Sequence, residues 1–206
     1  MADRRLLCIA VRAARLSDLH ALAEVLTQSF HPPVGWMSWA YPLLKLGIQE
    51  DLRGRLQENS PHYFCLTALV SAKKCYLTGD TKKPEAYGSG KCLREAAGRT
   101  SKIAGTIEIA LRSSGTLGRT QYAYISNLAV SRSYRRQGIA RKLLLSCEPM
   151  ALDWGFREIY LHVLEDNQQA RQLYSSSGYR LYRVEPSWEN LLFNRPRRLL
   201  LQKTLR

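Results

Sequence analysis

A short basic turn, Tyr134-Arg-Arg-Gln-Gly-Ile-Ala-Arg141, joins an apolar run rich in β-formers to an apolar-periodic run of helical character. Three consequences follow from the residue types. Gly138 has no Cβ, so a ligand can approach the backbone closely. The first turn of the following helix leaves N–H groups without internal partners, and the helix dipole favours negative charge there. Arg135, Arg136 and Arg141 add cationic reach. A strand, a glycine-bearing turn and a helix start in that order form a pyrophosphate cradle. The turn lacks the G-x-x-x-x-G-K-[ST] of a P-loop and the G-x-G-x-x-G of a dinucleotide fold, so neither nucleotide architecture is expected.

The remaining periodicities place this turn in an α/β chain. Residues 6–12 alternate as a strand, and Ser17-Asp18 opens a helix with Leu19, Leu22, Ala23, Val25 and Leu26 on one face. His31 to Trp36 breaks that helix. Leu43, Leu44, Leu46, Ile48, Leu52 and Leu56 then define a second one, closed near Asn59-Ser60-Pro61. Strands are predicted at 63–71, 103–111, 122–130, 158–164, 179–184 and 198–204. Helices are predicted at Gln137 to Trp154, with a possible irregularity at Pro149, and at Asn167 to Ser176, capped by Gly178. The polar stretch Lys73 to Lys102 reads as an exposed hairpin excursion, and Ser113 to Gly118 as a glycine-rich turn. The expectation is one domain over residues 1–206, built around a mixed sheet.

Composition narrows the function classes. No run approaches the ~20 apolar residues of a bilayer span, and the first residues lack the apolar core of a secretory signal. A cytoplasmic location is expected, or an organelle if a targeting segment has been removed. Five cysteines, odd in number and without C-x-x-C spacing, are read as reduced thiols, with no metal site expected. The net charge of +14 is spread over several clusters rather than one arm or helix face. It suits an anionic ligand as well as a nucleic acid. No nucleic-acid motif accompanies it, so nucleic acid is not an expected partner.

Over residues 121–182 the chain resembles the acetyl-coenzyme A-binding core of the GNAT superfamily of N-acetyltransferases. Arg135, Gly138 and Ala140 match the family pattern [RQ]-x-x-G-x-[GA]. Asn167, Ala170, Tyr174, Gly178 and Tyr179 match N-x-x-A-x-x-x-Y-x-x-x-G-[FY] downstream. The opening VRAARLSDLHALAEV looks like the family's first strand and helix. The resemblance implies the GNAT fold: about seven strands with one bulged, splayed strand, flanked by about four helices. It also implies acetyl-CoA as co-substrate.

What the resemblance implies falls on particular residues. Acetyl-pantetheine would pair with backbone groups of Leu128, Ala129 and Val130, one N–H there polarising the thioester carbonyl. The diphosphate would lie on the turn formed by Arg135, Arg136, Gln137, Gly138, Ile139, Ala140 and Arg141. Asn167 matches the position that touches the cofactor arm, and Tyr174 the tyrosine that protonates the departing thiolate. One branch of N-terminal acetyltransferases pairs a histidine and a tyrosine as base, and His162 and Tyr124 match those positions. Residue chemistry agrees for His162, since an unperturbed imidazole near ~6.5 is largely neutral at pH 7 and can accept an amine proton. Bland roles compete: a strand histidine bonded to a carbonyl for His162, and packing for Tyr124 and Tyr174.

The acceptor walls would be His31 to Pro42 and Val184 to Pro196, with Trp36, Trp39, Tyr41 and Trp188, and with Glu185 and Glu189 as the carboxylates. These segments look similar to plastid and cyanobacterial-type enzymes that acetylate lysines and protein N-termini, which would place the chain in the plastid stroma. A protein amine is the leading acceptor. A small arylalkylamine or polyamine is the alternative, followed by a non-catalytic acyl-CoA-binding or ribosome-associated role. Oligomeric state is not readable from the sequence.

Overall fold

The computed structural model describes residues 8–30, 41–58, 60–71, 101–113, 121–185 and 196–205. Eleven elements are named here in chain order. They are β1 (Cys8–Ala13), α1 (Leu19–Phe30), α2 (Tyr41–Gln57), β2 (Tyr63–Ser71), β3 (Lys102–Ser113) and β4 (Gln121–Val130). After a short 3-10 turn come α3 (Ile139–Asp153), β5 (Glu158–Leu164), α4 (Gln168–Ser176), β6 (Arg180–Glu185) and β7 (Arg198–Thr204). They build a seven-stranded mixed sheet in the order β1-β2-β3-β4-β5-β7-β6. Only the β4–β5 pair is parallel among these neighbours. A parallel pair needs a crossover, and α3 supplies it.

Strand alternation sorts the side chains onto two faces. Ile107, Ile109, Ala123, Ile125, Ile159, Leu161 and Val163 meet Leu143, Leu144, Cys147 and Ala151 of α3 in the larger core. Leu19, Leu22, Val25 and Leu26 of α1 cover the other face with Leu52 of α2, Cys65 and Ala129. Each fully buried leucine or isoleucine is worth about 1.5–3 kcal/mol over its exposed state.

Some expectations change in detail. The face predicted for α2 is only half used. Leu52 is buried and Ile48 and Leu56 pack beside it, but Leu43, Leu44 and Leu46 are exposed. The four-residue spacing of Ile48, Leu52 and Leu56 explains which half docks. Pro149 lies inside α3 without interrupting it. Cys8, expected as a reduced thiol, is disulfide-bonded, while Cys65 and Cys147 are buried free thiols. Cys8 opens β1, an edge strand of the sheet, whereas Cys65 and Cys147 lie in the two cores. The predicted excursion at 73–102 and the turn at 113–118 lie almost wholly outside the described residues, as do Trp36, Trp39, Trp188 and Glu189. No helix among the described residues is long and apolar enough to cross a membrane.

Candidate active site

The site begins where the sheet comes apart. Along β3, Thr106 pairs with Ala129 but Glu108 already pairs with Ser126, so β4 carries an extra residue and bulges. Asn127 sits in the bulge at φ 52, the left-handed region that asparagine tolerates better than most residues. Gly105 lets the far end of β4 close in. A Cβ there would meet the Ala129 carbonyl oxygen at 2.8 Å. On its other side β4 pairs with β5 only from Ala123 to Ile125, against Ile159 to Leu161. Past that point the two strands part, and Leu128, Ala129 and Val130 border a cleft.

The helix α3 points its N-terminus at the same cleft. Gly138 is its N-cap at φ 79, Arg136 is also left-handed at φ 63, and no side chain caps the helix. Its first N–H groups are therefore left for a ligand. Arg135 is held in place by donating from Nε to the Val130 carbonyl at 3.1 Å. The cleft has a volume of about 680 Å³ and is lined by Arg135, Arg136, Gly138, Ile139, Ala140 and Arg141 on the α3 side. Gln137 belongs to the turn but does not line the cleft.

The opposite wall comes from α4. Asn167 is its N-cap, its Oδ1 accepting from the Ala170 N–H at 3.1 Å, and it borders the cleft with Ala170 and Leu173. Tyr174 also lines the cleft, only 8% exposed. Burial pushes its phenol up to about 12, so it keeps its proton at neutral pH. The end of α1 closes the cleft with Ser29 and Phe30, which sequence periodicity did not single out. A second groove of about 770 Å³ lies on the far side of α4, against β6 and β7, and holds neither the α3 turn nor the β4 bulge.

Beside the parting strands stands a phenol–imidazole pair. Tyr124 Oη lies 2.7 Å from His162 Nδ1. Burial raises the Tyr124 phenol above its usual range, against the opposing charges of Arg112 and Arg198. The phenol keeps its proton at neutral pH and is placed to share a hydrogen bond with Nδ1. Nε2 faces Glu185 Oε1 at 2.8 Å, a close contact without an aligned hydrogen bond. His162 is the β5 residue that follows the last one paired with β4, which puts the dyad at the mouth of the splay. Tyr124 also bears on the ionisation of Tyr174 by charge, so the two halves of the site are within electrostatic reach.

Around the dyad the sheet face is aromatic. Tyr122 meets Tyr124 and Tyr160 edge-on, Tyr160 meets Tyr182 likewise, and Arg112 lies 3.9 Å above the Tyr124 ring. The sequence reading noted Glu185 only as a wall carboxylate and missed Arg112. Strand alternation gives their faces, but only the strand register brings them to His162 and Tyr124.

The buried phenols set an alkaline limit. Tyr124 and Tyr174 are raised by burial, and so are Tyr63 and Tyr179. In an unfolded chain these groups ionise near ~10. The folded state resists ionisation, so their stabilising contribution is whole below pH ~10 and is lost as pH rises through the raised values. Thermal melts from pH 9 to 12 should show a falling midpoint that tracks phenolate absorbance. A flat midpoint across that window would contradict the burial of these rings.

The acetyltransferase (GNAT) family model matches residues 49–179. GCN5-related N-acetyltransferase 10, chloroplastic, from Arabidopsis thaliana, is 34% identical over 193 residues, covering 90% of this chain and 67% of that protein. GCN5-related N-acetyltransferase 4, chloroplastic, from the same plant, is 30% identical over 186 residues, covering 85% and 62%. The chain thus spans about two thirds of the length of these curated relatives. The coenzyme A-bound PaiA N-acetyltransferase of Thermoplasma acidophilum shares the fold, with a TM-score of 0.61 at 17% identity over 95% of this chain and 98% of that one. The glycine turn, the parted strands and the matched family together make this chain a member of the GNAT family, an acetyl-CoA-dependent N-acetyltransferase.

Proposed function

We propose that the acceptor is an amine of a protein, either an N-terminal α-amine or a lysine ε-amine, attacked directly by way of the Tyr124–His162 pair. The observation that carries this reading is the 2.7 Å phenol–imidazole contact at the mouth of the splay. The thioester arm would be held by the Leu128 to Val130 main chain, with Asn167 beside it. The diphosphate would lie on the N–H groups from Arg136 to Arg141, with Arg135 adding charge. The amine nitrogen bonds to the thioester carbon and the carbon–sulfur bond breaks. The surplus amine proton passes to Tyr124 Oη as the phenol gives its own to His162 Nδ1. Glu185 then faces an imidazolium and stabilises it. Tyr174 returns a proton to the thiolate.

The acceptor class rests on the surroundings of the dyad. Tyr122, Tyr160 and Tyr182 offer a broad aromatic surface, the kind that holds a peptide chain. The nearby carboxylates each have a partner, Glu185 facing His162 and Glu158 accepting from the Tyr160 hydroxyl. A plastid location is part of the same proposal, since both relatives described above are named chloroplastic.

The test is incubation with acetyl-CoA and a proteome-derived peptide library, alongside spermidine and an arylalkylamine, with modified amines mapped by mass spectrometry. Acetylated peptide amines are the expected product. Turnover confined to the small amines would replace this acceptor class with theirs.

A further inference from the structure

Glu108 is the anomaly of the acceptor-side face. It lies on β3 behind the β4 bulge and is 1% exposed, a depth at which a carboxylate is costly unless paired. Its two oxygens are divided between two elements. Oε1 accepts from Asn127 Nδ2 at 2.9 Å, and Oε2 accepts from Arg55 Nη1 of α2 at 2.8 Å. Arg55 is itself held by Asp51 at 2.7 Å one turn earlier. The buried phenol oxygen of Tyr63 belongs to the same cluster, and the Glu108 charge adds to the burial that raises its ionisation. Nothing in the proton-transfer scheme above uses this cluster.

Its placement indicates its work. Asn127 is the left-handed residue of the bulge, and the next three residues are those that border the cleft. A bulge residue is unpaired in the ladder, so its orientation is not fixed by strand pairing. Here a buried charge fixes it instead through a charge-assisted hydrogen bond to its side chain. Arg55 ties the same carboxylate to α2.

We propose that Glu108 is a positioning residue for acyl-coenzyme A: by holding Asn127 it sets the peptide planes of Leu128 to Val130. This rests on the reading above that those planes receive the thioester arm. It predicts that altering the Glu108–Asn127 contact changes affinity for coenzyme A while leaving the fold in place.

Three variants separate side-chain anchoring from backbone conformation. Asn127→Gly keeps the left-handed φ but loses the donor. It should weaken coenzyme A binding about tenfold, the worth of one charge-assisted hydrogen bond. Asn127→Asp keeps size but sets an anion against Glu108, and should weaken binding further. The double variant Glu108→Gln with Asn127→Asp transposes donor and acceptor, and should recover most of the loss.

Calorimetry with coenzyme A gives the affinities. Steady-state kinetics should show KM for acetyl-CoA rising more than kcat falls, with thermal melts confirming a folded protein. If both Asn127 variants bind like wild type, or the double variant is no better than Asn127→Asp, the proposal fails. A Gly138→Glu control keeps the two readings apart. If that control binds normally, the cradle itself is misplaced. If it loses binding while the Asn127 variants do not, only the role of Glu108 falls.

Discussion

Gly138→Glu should weaken binding of coenzyme A by at least about a hundredfold, from two additive causes. A side chain at φ 79 is strained by about 1–2 kcal/mol. The added carboxylate would also stand at an uncapped helix N-terminus, where it would take the site of the phosphates and repel them. Among the described residues a Cβ at this position meets no atom within 4 Å beyond its chain neighbours, so crowding by them does not contribute. Gly138→Ala isolates the strain and should lose much less. Calorimetric titration of both variants decides it, and a glutamate variant with wild-type affinity would remove this turn from the coenzyme site.

Tyr124→Phe and His162→Ala should each lower kcat by about 10²–10³-fold, the range of one lost acid–base group. The phenylalanine retains the ring packing with Tyr122 and Arg112 and gives up one hydrogen bond, about 1 kcal/mol of stability. A large rate loss in a folded variant would therefore be chemical. The deficit of His162→Ala should be greatest at low pH, where solvent removes the amine proton slowly. The double variant should be little worse than either single one, because the two groups move one proton in series. Additive losses, or a pH–rate profile matching wild type, would show that the pair does not act as a unit.

Much of the fold was legible because its signals are local. Gly138 between an apolar strand and a helix, Asn167 as a cap and Gly178 after α4 each depend on the conformation of a few neighbouring residues. Every strand of the sheet fell within two residues of its predicted ends. The exposed first half of α2 was not legible. An apolar periodicity states which residues can be buried, and the docking of α2 on α1 decides which are. The disulfide state of Cys8 was hidden for the same reason, since spacing alone does not give proximity.

The candidate site divides along the same line. The sequence by itself marked out the candidate phosphate turn, because helix start, glycine and arginines lie within eight consecutive residues. It also placed His162 on a strand face opposite Leu161 and Val163. Only the tertiary structure decided that Tyr124, His162 and Glu185 meet, since they come from three strands whose register no local pattern encodes. The same holds for Glu108 beneath Asn127. A two-residue periodicity gives a side chain its face, while its neighbour across the sheet depends on where the bulge falls.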